Sequence, residues 1–258
     1  MSDPKTAKEH PLANILINVL IPVLVLSLLS KDPAIQEKLG KTAKFWHIGP
    51  LYAMIVALAL PLGYGIRHFI RTSKPNFFSA LGLVSILLTG GLTLYLWNKD
   101  GSVKENAGIL FGLKEASIPL VLGFAILTSA RTASPLLNVF LYNDNLFDIQ
   151  KIEQKVAELG NKSAYQTLLM QSTRLFSASF FLSSAMNLCL ALWFFRGFDH
   201  KAIDALEIYN GIIGKLTGWG FAVIGIPILG FLFLILRRLL KGLNVLTGLK
   251  DEELMLPR

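Results

Sequence analysis

Five stretches of the chain run without a charged side chain for the length of a bilayer crossing: Pro11–Ser30, Ile48–Ile66, Pro75–Asn98, Leu175–Phe195 and Leu216–Leu236. About 20 mostly apolar residues in a helix traverse a hydrocarbon core, and backbone groups in lipid must be satisfied within the segment. A sixth apolar run, Ala116–Ala130, is short. Extended backward to Phe111 it reaches the required length, and Lys114 and Glu115 then enter the membrane edge. The pattern predicts an all-α polytopic membrane protein of one domain, residues 1–258. Its six-helix transmembrane bundle has spans at about 11–30, 48–67, 76–97, 111–130, 174–195 and 216–238.

The long connection over residues 131–173 carries its own periodicity. Ile149, Ile152, Val156 and Leu159 recur at helical spacing, with Gln150, Lys151, Glu153 and Lys155 between them. That spacing predicts an amphipathic helix of about three turns, ended by Gly160 and Asn161. It packs on the membrane surface or the bundle, or docks another protein.

Composition agrees with a membrane class. The chain is 53% hydrophobic and 16% charged, against about 25% charged in soluble domains. The net charge of +8 is read as an orientation signal, because basic residues gather on cytoplasmic loops. Nucleic acid is excluded as a partner, since no basic stripe carries interleaved stacking aromatics. With six spans and the N-terminus inside, every Arg except Arg196 falls on the cytoplasmic side. Trp46, Trp97, Trp193 and Trp219 all fall at the external interface, where Trp collects. Lys31, Lys38, Lys41 and Lys44 run against this orientation in the first external loop. The first apolar run is longer than a signal-peptide core and lacks a small-x-small cleavage site, so it reads as a retained helix.

Candidate chemistry is sparse. Pro22, Pro61, Pro119 and Pro227 lie within predicted spans, where each removes one backbone donor and shapes its helix. Asn14 and Asn18 stand one turn apart in the first span, as interhelical glue or as the lining of a polar cavity. Ser179 and Ser183, with Asn187 on the same face, and Gly214 with Gly218, are small-residue pairs that favour close packing. Arg67 and Arg131 sit at cytoplasmic span ends. His10, His47, His68 and His200 form no metal-binding spacing, and the lone Cys189 lies in an apolar run. No nucleophile elbow, phosphate loop or dinucleotide fingerprint is present, so nothing points to an enzyme or a cofactor. Lys114 and Glu115 remain as an interfacial anchor or as a polar site facing the bundle, and Pro119 frees the carbonyl of Glu115 beside them.

"NVLIPVLVLSLLSKDP" and "GGLTLYLWNKDGSVKENAGILFGLKEASIPL" resemble the intracellular septation protein A family and related uncharacterised bacterial inner-membrane proteins. The matching positions include Gly91, Leu92, Thr93, Leu94 and Lys114, over roughly residues 12–130. This chain has Lys114-Glu115-Ala116 where the family has Lys-Pro-Thr, and a longer spacer. The resemblance implies a bacterial inner-membrane protein supporting envelope maintenance or division, with its biochemical activity undefined; the lack of a catalytic motif makes the expected role non-enzymatic, and the Arg and Trp distribution places both termini in the cytoplasm. Its partners would be membrane lipids and an envelope or division complex. The alternative is a small transporter or lipid-handling protein with a polar site between Pro-kinked helices.

Overall fold

The computed structural model describes residues 20–72, 77–98, 100–132, 135–144 and 146–256. Their regular secondary structure is all helical, and among them no strand occurs. The helices are α1 (Ile21–Leu28), α2 (Pro33–Lys38), α3 (Pro50–Thr72), α4 (Phe77–Leu96), α5 (Ala107–Ser129), α6 (Leu136–Phe140), α7 (Ile149–Glu158), α8 (Lys162–Phe194), α9 (Ala205–Gly220), α10 (Ile226–Thr247) and α11 (Asp251–Leu254). A π turn, Phe221–Gly225, joins α9 to α10. Among the described residues, three helical stretches are long and apolar enough to cross a membrane: Ala107–Ser129, Lys162–Phe194 and Ala205–Thr247. Shorter apolar helices cover Pro50–Tyr64 and Leu87–Leu96. This is a membrane protein by the length and composition of its helices. Asn14 and Asn18 lie outside the described residues.

Two units divide the chain, residues 1–114 with 187–222, and residues 115–186 with 223–258. In the first, α1 packs against α3 and α9, and α3 packs against α4. Their shared core holds Leu26, Ala53, Ala57, Leu96, Phe111, Phe195 and Tyr209. Close approach of α9 to α1 depends on Gly214, where a Cβ would lie 3.2 Å from Ser27 Oγ and 3.5 Å from the Val23 carbonyl. A tight loop after α4 is tied down from several directions. Trp97 bridges Val103, the Val103 amide donates to the His200 carbonyl, and Asp100 accepts from the Ser102 hydroxyl at 2.6 Å. That hydroxyl holds the exposed Asp100 carboxyl below its usual range.

The second unit is built around α7, α8 and α10. Ile152 and Val156 of α7 are buried with Phe147, Leu239, Leu243 and Leu254, which is the amphipathic face read from the sequence. Asp148 caps α7 through the Lys151 amide, and Gly160, at φ 70°, ends it in the left-handed conformation that glycine adopts freely. The C-terminal segment then straps α7. The Asp148 amide donates to the Leu254 carbonyl, and the Leu256 amide donates to the Leu146 carbonyl. Tyr142 and Tyr165 meet through their hydroxyls at 3.1 Å. Burial, then that hydrogen bond, pushes the Tyr142 hydroxyl far above the usual tyrosine range.

Two helices run well beyond the extents read from the sequence. The helix expected at 174 begins at Lys162, because its first turns are amphipathic rather than apolar. There Tyr165 is buried and Leu168 packs where a Cβ on Gly242 would come within 2.6 Å. The helix expected at 216–238 extends from Ala205 to Thr247 through the π turn. Pro227, at the start of α10, has no amide hydrogen to give the preceding turn, and the backbone widens there.

Candidate functional site

Within the first unit, polar side chains on apolar helices converge rather than scatter. Thr89 and Thr93 are one turn apart on α4 and share a face. Lys114, on the second turn of α5 and half-buried, donates its ammonium to Thr89 Oγ1 at 2.6 Å. The same ammonium lies 5.3 Å from the centroid of the Phe111 ring, within cation–π range. Thr93 is buried, and its hydroxyl stands 3.5 Å from the Tyr209 hydroxyl of α9. Around Tyr209 the rings of Trp97, Phe111 and Phe195 pack at centroid distances of 6.5, 6.5 and 5.8 Å. Polar groups thus line up from Lys114 through Thr89 and Thr93 to Tyr209, enclosed by aromatic rings.

The next residue on α9 extends the cluster toward α1 and α3. Asn210 Nδ2 donates to Ser30 Oγ and to the Pro50 carbonyl, both at 2.8 Å. All three residues are buried. The amide therefore pins α9 to the end of α1 and the start of α3. Among the described residues, Asn210 Oδ1 and Trp97 Nε1 are enclosed without a hydrogen-bond partner, an arrangement that costs about 1–3 kcal/mol per group. Beyond it, buried Gln36 of α2 donates Nε2 to Glu207 Oε2 at 2.8 Å.

The predicted positions separate into two groups. Lys114 and Thr93 join the same cluster, linked through Thr89. Glu115, the residue after Lys114 on α5, is half-buried, while Arg67 on α3 and Arg131 after α5 are exposed. Three cluster members escaped the sequence reading: Thr89, Tyr209 and Asn210. Thr89 was legible as the residue one turn before Thr93. Tyr209 and Asn210 were hidden because the last helix was expected to begin at 216.

A second feature missed in the sequence is a stripe of small residues on α5 at helical spacing: Gly108, Gly112, Ala116 and Gly123. In the first unit, a Cβ on Gly108 would fall 2.7 Å from Phe195 Cβ, and one on Gly112 would fall 2.9 Å from Leu188. In the second, Ser184 Oγ donates to the Ala116 carbonyl at 2.9 Å and Ser177 Oγ to the Gly123 carbonyl at 2.7 Å. Serine hydroxyls thus reach α5 carbonyls on either side of Pro119, which interrupts the helix ladder between them. Among the described residues, no group of three His, Cys, Asp or Glu side chains is arranged to hold a metal. Compared with known proteins, the chain matches no family model, no curated protein and no solved structure.

Proposed function

We propose that this chain is a six-span protein of the bacterial inner membrane with a non-catalytic role in the cell envelope, and that its intramembrane polar cluster serves packing. The observation that carries the reading is the engagement of Lys114. A cation inside a spanning helix is expensive unless paired, and here it meets Thr89 and the Phe111 ring. A transport path would require that charge to face a water-filled cavity that solute can enter. Six spans are supported by the apolar lengths of the sequence. Termini inside, and α7 on the cytoplasmic side, are supported by the distribution of Arg and Trp. The envelope role rests on the resemblance to the septation protein A family at Gly91, Leu92, Thr93, Leu94 and Lys114.

Complementation of a bacterial strain lacking the chain tests the assignment. Deletion is expected to alter cell length or envelope permeability. Lys114→Met, which keeps the stem and removes the charge, is expected to restore the phenotype wherever it accumulates to wild-type level. Loss of function at unchanged protein level would instead favour a working charge and a transport path.

A further inference from the structure

At the end of the first unit, α1 and α9 border an open cleft of about 230 Å³ whose polar lining includes Ser27, Lys31, Glu207 and Lys215, with Leu26 and Ile212 as apolar wall. Glu207, Gly211 and Lys215 follow at i, i+4 and i+8 on α9, one above the other on a single face. Gly211 leaves that face open, for a Cβ there would meet nothing within 4 Å among the described residues. Lys215, Gly211 and Lys31 all line the cleft, and a helical side chain leans over the turn preceding it, which favours a Lys215 stem lying over Gly211. Lys215 belongs to an apolar stretch of spanning length. A cation so placed must reach the headgroup region or a counter-charge. Among the described residues the carboxylate lining the cleft is that of Glu207, and it accepts from Gln36 Nε2 at 2.8 Å. Two ammonium groups against one carboxylate leave the cleft net positive, beside the exposed Ser27 hydroxyl.

We infer that this cleft binds an anionic membrane phospholipid. Lys31, Lys215 and the Ser27 hydroxyl hold its phosphate, and the start of an acyl chain lies on Leu26 and Ile212. A phosphate diester with an attached hydrocarbon fits both halves of the lining, whereas a free anion would leave the apolar wall unused. The inference rests on the membrane assignment and is independent of the envelope role.

The test uses the full purified chain in a neutral detergent, titrated with short-chain phosphatidylglycerol, phosphatidylcholine or inorganic phosphate, with binding read by native mass spectrometry and thermal shift. Phosphatidylglycerol is expected to bind saturably and about ten-fold more tightly than phosphatidylcholine, the scale of a charge-directed contact. A Lys31→Gln/Lys215→Gln double variant is expected to lose that preference. Gly211→Leu, which fills the gap with both charges intact, is expected to weaken binding by about ten-fold through loss of shape complementarity. Lys201→Gln, exposed and outside the cleft lining, should bind as wild type. Should the double variant fail to fold, Gly211→Leu decides alone. Unchanged phosphatidylglycerol binding in these variants, or equal affinity for phosphatidylcholine, overturns the inference. Inorganic phosphate binding as tightly as the lipid overturns the lipid as its source.

Discussion

Thr89 and Lys114 are coupled by a charge-assisted hydrogen bond of 2.6 Å, and the hydroxyl is the partner that can be removed without changing volume. Thr89→Val is expected to cost about 1.5 kcal/mol, the lower end for a bond to a charged group, because the half-buried Lys114 side chain retains other contacts. Reversible unfolding in detergent measures it. No loss would mean that the contact does not hold α4 to α5. His47 makes a separate prediction in the loop before α3. Its ring is 8% exposed, and its Nδ1 accepts from the Lys44 amide at 3.1 Å. Burial, with Lys31 and Lys44 nearby, lowers its pKa below the usual histidine value. The unfolded chain then binds the proton more readily than the folded one. The stabilisation from neutral His47 is complete above about pH 6.5, the unperturbed value, and is lost as pH falls through the lowered folded value. NMR titration should place the His47 midpoint below that of a model peptide; a midpoint above it would contradict the burial.

Helix packing turns on a few glycines, and their substitutions should rank by space. At Gly123 a Cβ would lie 2.6 Å from the Phe181 ring, and at Gly108 2.7 Å from Phe195 Cβ, whereas one on Gly230 would meet nothing within 4 Å among the described residues. Gly108→Ala is expected to destabilise by about 1–3 kcal/mol, the range for overpacking. Gly230→Ala should be neutral or stabilising by about 0.5–1 kcal/mol, from helix propensity alone. Comparable melting shifts for the two would show that α5 does not approach α8 closely. Leu254 anchors the C-terminal strap and is fully buried; Leu254→Ala should cost about 2–4 kcal/mol and speed hydrogen exchange in α7. The amphipathic α7 was legible because one face repeats Ile149, Ile152 and Val156 at helical spacing. The start of α8 was not. Its first turns mix Gln166, Thr167 and Gln171 with Tyr165 and Leu168, so no uncharged apolar run marks them. Gly108, Gly112 and Ala116 repeat every four residues, but Lys114 and Glu115 interrupt the run between the last two, so no unbroken small-residue period marks the stripe.

At the scale of the molecule, three helical stretches among the described residues reach spanning length and apolarity, and the proposed six-span topology is the claim from which the other assignments follow. It puts Glu105, in the loop before α5, outside, and Glu153, on α7, inside. Both residues are exposed. Cys189, an exposed thiol, must first be replaced by Ser so that labelling reports the introduced sites alone. Intact cells carrying Glu105→Cys or Glu153→Cys are then treated with a membrane-impermeant maleimide. The account predicts that position 105 reacts in intact cells and that position 153 reacts only after the membrane is opened. Labelling of both positions from the same side would mean that α5 does not span, and would contradict the six-helix topology.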